Sequence, residues 1–434
     1  MSTKVNGART TLLAARTAAV FVGLLACIAR AADHWTQFRG PNAQGHSEAK
    51  GLPVSPADPA NIRWRTEIHG RAWSSPVVWG KQVWLTTATE DGRQLYAVCV
   101  DADSGNIIHD LKLFDIAEPQ FAHPFNTYAS PTPVIEESRV YVTFGSPGTA
   151  CLDTATGKVL WSRTDFVCNH YRGAGSSPVL FEGLLLMHFD GSDHQFVVAL
   201  DKTTGKTVWQ TRRSVDFKDL NEQGQPKLEG DLRKAFSTPV IATVDGQPQL
   251  VSLASYALYG YDVRSGKELW RMEQWECFSG SNIPIIGQGF IYSPLGHSRG
   301  QLWAIPLGEQ GVIDPTRIRW KVGQNVPTRS SPILVNGLLY MVDDGGMATC
   351  IDTEDGREVW RQKIKSSYSA SPIHADGRIY FFAESGHITT IEPGRAYKQL
   401  AEGKIEEGFM ATPAIAGKAM FLRSKKALYR SETR

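Results

Sequence analysis

Short apolar runs separated by a recurring polar turn organise this chain. Cys151-Leu-Asp153-Thr-Ala-Thr-Gly157-Lys-Val-Leu-Trp161 returns as Ala199-Leu-Asp201-Lys-Thr-Thr-Gly205-Lys-Thr-Val-Trp209. Further copies run from Gly260 through Asp262 and Gly266 to Trp270, and from Cys350 through Asp352 and Gly356 to Trp360. A weaker copy, Cys99-Val-Asp101 to Gly105, has His109 where Trp is expected, and a degenerate one runs from Ala304 to Gly308 with Trp320 as its outer tryptophan. The spacing predicts an apolar strand, an Asp whose carboxylate bonds turn amides, a Gly where φ is positive, and a second strand carrying Trp. Each copy is a β-hairpin, and repetition at this period marks a repeat architecture.

A second pattern precedes each hairpin, in which Ser, Thr or Ile followed by Pro opens an apolar run. The prolines are Pro76, Pro133, Pro178, Pro239, Pro284, Pro332, Pro372 and Pro413, at intervals of 57, 45, 61, 45, 48, 40 and 41 residues. Between anchor and hairpin lies another strand pair, as in Ser331-Pro-Ile-Leu-Val-Asn-Gly337-Leu-Leu-Tyr-Met-Val342, where Asn336-Gly337 is a two-residue hairpin turn. Four strands in roughly 40 to 60 residues is the size of a propeller blade. The eight anchors therefore predict an all-β, eight-bladed β-propeller of four-stranded antiparallel blades.

The last unit, Thr412 to Arg430, lacks a Trp-bearing outer strand, whereas Ile62-Arg63-Trp64-Arg65 resembles Ile318-Arg319-Trp320-Lys321. The N-terminal strand around Trp64 is expected to complete the last blade and so remove the open edge of the ring. Residues 61–434 then form one propeller, and residues 32–60 read as an irregular N-terminal segment.

Composition sharpens this picture. At about 150 residues per domain, 434 residues would suggest three domains, but the repeats merge them into one ring. Of the 12 tryptophans, six (Trp64, Trp161, Trp209, Trp270, Trp320 and Trp360) share one repeat position and are assigned to blade docking. Lys+Arg 46 against Asp+Glu 44 leaves no basic excess to neutralise a polyphosphate, so nucleic acid is excluded as a partner.

Residues 1–31 read as a secretory signal peptide: Lys4, Arg9 and Arg16 precede an uncharged run from Thr17 to Ala29 that ends in Ala29-Arg30-Ala31. The run is shorter than the roughly 18 residues a membrane-spanning helix needs. Cleavage after Ala31 delivers the protein to the periplasm or cell envelope. Leu24-Leu25-Ala26-Cys27 also resembles a lipobox, and membrane attachment is expected only if Cys27 is lipidated.

The motif resembles the tryptophan-docking repeat of the quinoprotein-type, PQQ-like β-propellers, Ala-x-Asp-x-x-Thr-Gly-Lys-x-x-Trp, which residues 199–209 match at every fixed position. The opening Trp35-Thr-Gln-Phe-Arg-Gly-Pro-Asn-Ala-Gln-Gly45 is similar to the start of secreted propellers of the planctomycete type. The resemblance implies two classes of function. Quinone-dependent alcohol dehydrogenases hold PQQ at the propeller centre with Ca²⁺ bound by acidic and amide oxygens, beside two adjacent disulfide-bonded cysteines. This chain has no adjacent Cys pair and no Cys-x-x-Cys-His, and no Ca²⁺ ligand carries over. It is therefore expected to be a monomeric, non-catalytic binding or scaffold module of the envelope, like BamB, that takes no cofactor. The alternative is a PQQ- and Ca²⁺-dependent dehydrogenase of alcohols or sugars.

Candidate site residues fall in the connections between blades. Trp73, Tyr128, Tyr171, Phe236, Phe278, Tyr368 and Phe409 stand just before the anchor prolines, with Arg329 in the sixth blade. In a propeller these connections enter the innermost strands, so Trp73, Tyr128, Tyr171, Phe236, Arg329 and Tyr368 are expected around a central depression, joined by His123, Asn126, Asn169, His170 and Arg172. Flat aromatic and amide groups there suit an envelope protein, peptide or glycan.

Other motifs have structural readings. Gly296-His297-Ser298-Arg299-Gly300 matches a nucleophile elbow but lies between two strand-like runs, as a hairpin loop would. His188, Asp190, Asp193 and His194 surround a turn and need no metal. Cys99, Cys151 and Cys350 occupy the small-residue site of the repeat, and Cys168 and Cys277 lie in connections. Arg212 to Lys234 is an insertion expected as a solvated loop on one rim.

Overall fold

In the computed structural model, residues 34–365 and 367–434 are described; the leader, including the cleavage site and Cys27, lies outside them. The strands assemble into eight sheets, each built on four antiparallel strands. In chain order they are blade 1 (77–115), blade 2 (134–163), blade 3 (179–212), blade 4 (240–273), blade 5 (285–322), blade 6 (333–363), blade 7 (373–404) and blade 8 (414–432). Strand Ile62–Glu67 pairs antiparallel with Ala427–Glu432, matching Trp64 to Arg430 and Glu67 to Ala427, so the N-terminal strand completes blade 8.

The register explains the small-residue site of the repeat. Cys151, Ala199, Gly260, Ala304 and Cys350 stand directly opposite Trp161, Trp209, Trp270, Trp320 and Trp360 across the third and fourth strands of their blades. Cys99 faces His109 in the same way. In blade 4 the indole of Trp270 lies directly over this site, and a Cβ built on Gly260 would fall 2.1 Å from Trp270 Nε1.

Docking then joins neighbouring blades. Trp64, Trp161, Trp209, Trp320 and Trp360 donate Nε1–H to the carbonyls of Ala102, Lys202, Val263, Thr353 and Gly394 in the following blade, at 2.9–3.2 Å. Trp270 donates instead to Gln249 Oε1 in its own blade at 2.9 Å, because the hairpin of blade 5 is degenerate. The repeat glycine lies under the arriving ring. Gly105, Gly205, Gly266 and Gly356 have φ between +71° and +77°, and a Cβ on each would approach Trp64, Trp161, Trp209 or Trp320 to 2.4–2.7 Å. The repeat Asp closes the same turn: Asp201 Oδ1 accepts Thr204 N–H at 2.7 Å and Thr204 Oγ1–H at 2.9 Å.

A finer seam runs around the axis at the residue before each anchor proline. The N–H of Ser75, Thr132 and Ser177 donates to the hydroxyl of Thr132, Ser177 and Thr238 in the next blade, each at 2.9 Å. Ile283, Ser331 and Ser371 donate in turn to Ser331, Ser371 and Thr412 at 2.9–3.0 Å. Thr412 returns to Ser75 at 3.0 Å. The circle is broken only between Thr238 and Ile283, where the side chain has no hydroxyl.

The segment expected as irregular has a defined course. His34–Trp35 pairs with the innermost strand of blade 1, and His46–Ser47 runs parallel to that of blade 7. Between them Thr36 O accepts Ile135 N–H at 2.8 Å and Gln44 Oε1 accepts Ile286 N–H at 2.9 Å. Innermost strands have no neighbour on the axial side, so their backbone groups need partners. The segment crosses the axis and supplies several of them.

Deleting residues 61–68 is expected to lower the melting temperature by roughly 10 °C or more, since it removes a blade's outer strand and a docked Trp; an unchanged melting temperature would contradict closure. The repeat glycine can be tested against a turn glycine with the same strain. Gly246 also has positive φ, but a Cβ there meets nothing within 4 Å. Gly246→Ala should cost about 1 kcal/mol from backbone strain alone, and Gly205→Ala about 2–4 kcal/mol because Trp161 is also displaced. Equal losses in denaturant titrations would refute docking as the reason for this glycine.

Candidate functional site

Strand alternation brings two sets of loops to one face: the connections between blades, and the turns between the second and third strands of each blade. They surround a central cavity of about 450 Å³. Phe38 of the axial segment lies at its base, and Trp73, His123, Phe125, Asn126, Arg172, Phe236, His297, Arg329, Asp344 and Met410 line it, together with the pre-proline hydroxyls.

Six of the candidate residues therefore meet in this cavity. Trp73 donates Nε1–H to Phe125 O at 2.8 Å and carries the Arg71 guanidinium 5.2 Å from its ring. His123 Nδ1 accepts Phe125 N–H at 3.1 Å. The Asn126 side-chain amide donates to Arg172 O at 3.0 Å and its Oδ1 accepts Ser130 Oγ–H at 2.6 Å, which ties two successive connections together. Arg172 reaches Asp231 at 3.3 Å. Arg329 lies 2.9 Å from Glu384 and 3.4 Å from Asp344, with its guanidinium 4.7 Å from the Phe125 ring. Phe236 is half-buried in the wall.

The other five lie elsewhere. Tyr368 is fully buried in the core shared by blades 6 and 7. His170 is buried under its loop, where Nε2 accepts Ser146 N–H at 2.9 Å. Tyr128 packs across Gly92, which has φ +74°, in a separate small hollow that His170 also borders. Asn169 is exposed and its Oδ1 accepts Tyr171 N–H at 2.9 Å, a turn-forming role. Tyr171, at φ 62°, lies outside the cavity with Arg172 and Lys234 against its ring at 5.7 and 5.5 Å. The connections are long enough to carry an aromatic either inward to the axis or down between blades, and sequence position does not distinguish the two. Phe409, fully buried 5.8 Å from the Phe382 ring, takes the second course.

The insertion is ordered at its base, contrary to a fully solvated loop. Residues 221–225 are exposed, but Arg233 pairs with Asp219 at 2.5 Å and Gly230 is buried against Ser192. Lys234 is buried between the Tyr171 and Phe278 rings and bonds Asp231. The insertion thereby places Asp231 opposite Arg172 at the cavity rim.

Sequence reasoning missed the contributions of the short turns. His297 comes from the Gly296–Gly300 loop, Asp344 from the blade 6 turn, and Glu384, the partner of Arg329, from that of blade 7. The signal was available, since these turns stand at fixed places in each repeat. Gly296–Gly300 is a hairpin turn between Phe290–Leu295 and Gln301–Pro306, not a strand-to-helix elbow. Asp190 is held in a buried bidentate pair by Arg213 at 2.6 and 2.9 Å, while His188 Nε2 contacts Ser252 Oγ at 2.9 Å. Asp193 bonds Asn169 N–H at 2.7 Å, so this cluster does not converge on an ion. All five cysteines of the described residues are free and buried; burial pushes the Cys277 thiol up to about 11 and Cys168 higher still, away from the reactive thiolate.

A quinone held with Ca²⁺ would need a set of oxygen donors at the cavity. Ca²⁺ takes about six to eight oxygen ligands, carboxylates prominent among them. The cavity wall offers one carboxylate, Asp344, already bonded by the Thr328 hydroxyl at 2.5 Å and paired with Arg329, and the two beside it, Asp231 and Glu384, are engaged by Arg172 and Arg329. These residues do not fit a calcium–quinone pair.

The fold and site define a tryptophan-docked β-propeller with a central cavity. The chain belongs to the family described as outer membrane protein assembly factor BamB, whose model matches residues 98–287 and 292–399. It is 24% identical over 327 residues to the BamB of Yersinia pestis, covering 71% of this chain and 76% of that protein. The Escherichia coli protein is 29% identical over 205 residues, 46% of each chain. Among solved structures, BamB from Moraxella catarrhalis superposes with a TM-score of 0.59 at 10% identity, over 85% of this chain and 99% of that one. A europium-containing methanol dehydrogenase gives 0.63 at 13% identity, over 94% and 91%. At such identities these structures share the fold.

His170 gives the site face an acid-sensitive support. Burial lowers its pKa from 6.5 to about 4, so the unfolded chain takes up the proton first. Its contribution to stability is intact above pH 6.5 and is lost as the pH falls towards 4. His170→Gln, which keeps an acceptor for Ser146, should lose less melting temperature than wild type between about pH 7 and 4.5; identical pH profiles would disprove this.

Proposed function

We propose that the protein is an exported, non-catalytic propeller of the cell envelope that works as a monomeric binding or scaffold module, with another envelope protein or its peptide segment as ligand. The observation that carries this reading is the chemistry of the cavity: aromatic rings and arginines face inward, and the charged groups are already engaged in Arg172–Asp231 and Arg329–Asp344–Glu384 pairs. Such a surface recognises shape and hydrogen-bonding groups, and no side chain there is set up as a nucleophile with its base.

Membership in the BamB family supports the same reading, because those relatives are named as factors of outer-membrane protein assembly. Export rests on the leader pattern of residues 1–31.

The variant Trp73→Ala/Arg172→Ala/Arg329→Ala removes the cavity walls from loops outside the docked blades. It should fold with a melting temperature close to wild type and lose at least about tenfold in partner capture, measured by quantitative cross-linking and co-purification from envelopes. Undiminished capture by the folded variant would move the binding surface elsewhere on the ring.

A further inference from the structure

The hydroxyls that close the inner seam carry a second property. Ser75, Thr132, Ser177, Thr238, Ser331, Ser371 and Thr412 all line the central cavity, and all are 2–4% exposed. Each oxygen accepts a backbone N–H from the neighbouring blade. None donates its own proton to a protein acceptor among the described residues. A hydroxyl has one proton to give, and in a cavity wall that proton calls for an acceptor. Seven such protons are thus left around one axis at the base of the cavity.

Two buried cations flank this ring. Arg39 of the axial segment is fully buried; its Nη2 donates to Pro332 O at 2.7 Å, one residue beyond Ser331, while Nε and Nη1 have no hydrogen-bond partner. Arg423 is likewise buried and donates Nη1–H to Ser74 O at 2.8 Å, one residue before Ser75. Neither has an acidic partner, and burial alone pulls both down to about 9; both guanidiniums stay charged at neutral pH. A cation buried without a counter-ion is costly, and two beside a ring of unmatched donors give the base of the cavity a positive potential.

We propose that the pre-proline hydroxyl ring is an anion site that takes the carboxylate of the ligand, with Phe38, Trp73, Phe125 and Phe236 receiving the apolar body attached to it. This deepens the proposed binding function and rests on it. A carboxylate is acceptor-only and presents about four lone-pair directions, which suits donors converging from several blades. A carboxylate brings acceptors alone, whereas a water also brings two protons that need partners of their own. The missing hydroxyl at Ile283 makes the ring asymmetric and opens it towards blade 5.

The test uses the purified full chain and three probes: acetate, N-acetylphenylalanine and the uncharged N-acetylphenylalaninamide. N-acetylphenylalanine should raise the melting temperature by about 2 °C or more at millimolar concentration, and the amide should not. A larger response to N-acetylphenylalanine than to acetate assigns the carboxylate to a larger ligand such as a polypeptide end. An equal response assigns it to a small free acid, and both outcomes support the site. Thr132→Val/Thr412→Val, which keeps side-chain volume and removes two protons together with the acceptors of two seam hydrogen bonds, should weaken carboxylate binding at least tenfold by calorimetry. Arg39→Met provides a second variant if that one folds poorly, with the same loss expected. No response to either carboxylate, an equal response to the amide, or wild-type affinity in both folded variants would overturn the site. Failure here with partner capture intact would leave the binding function standing, whereas loss of capture in the wall variant with carboxylate binding intact would confine the ring to the anion alone.

Discussion

One hydrogen bond, repeated around the axis, sets the geometry on which the rest of this molecule depends: a pre-proline N–H reaching the hydroxyl of the next blade. Proline follows at every position and has no N–H, so the innermost strand begins at a fixed φ with one donor less to satisfy. The hydroxyl takes the remaining inter-blade donor. Seven repetitions set the angle between neighbouring blades, and the Thr412–Ser75 bond joins the two ends of the chain. At the one gap, Ser237 Oγ donates to Asn282 O at 2.7 Å and the Asn282 amide to Ser330 O at 2.6 Å, so a neighbouring pair spans the link that Ile283 cannot make.

The outer circumference uses a different device. There the indoles of Trp64, Trp161, Trp209 and Trp320 each cover a glycine of the following blade and donate to a turn carbonyl, so contact area and one hydrogen bond work together. Inner and outer seams fail independently: blade 4 loses the outer docking at Trp270 and the inner hydroxyl at its junction with blade 5, yet apolar packing between these blades is continuous through Met272, Ile285, Tyr292 and Trp303. Redundancy of this kind lets individual repeats drift from the motif without opening the ring.

Binding chemistry arises from the same parts. The hydroxyls act as acceptors to join blades, and none of their protons is taken up by a protein acceptor among the described residues. The axial segment that satisfies the innermost strands also carries Phe38 to the base of the cavity and Arg39 beside it. Closure and recognition are therefore coupled: the groups that hold the ring shut set the polarity of what it can hold.

The repeats in the sequence determined the fold, because each hairpin declares itself locally through Asp, Gly and Trp at fixed spacing, and the orphan strand at Trp64 declared the closure. The candidate site was legible only in part. Trp73, His123, Asn126, Arg172, Phe236 and Arg329 reach the cavity, while Tyr128, Asn169, His170, Tyr171 and Tyr368 stand in equivalent stretches and do not. Whether a connection residue turns to the axis or sinks between blades depends on the volume its neighbours leave, as at Gly92 under Tyr128 and in the packed core around Tyr368. The hydroxyl ring was visible letter by letter as Ser or Thr before Pro, but its meaning was not. Seven residues spread over more than three hundred positions converge only when the ring closes, and it is closure, not any local pattern, that decides which of their hydrogen-bonding groups remain free.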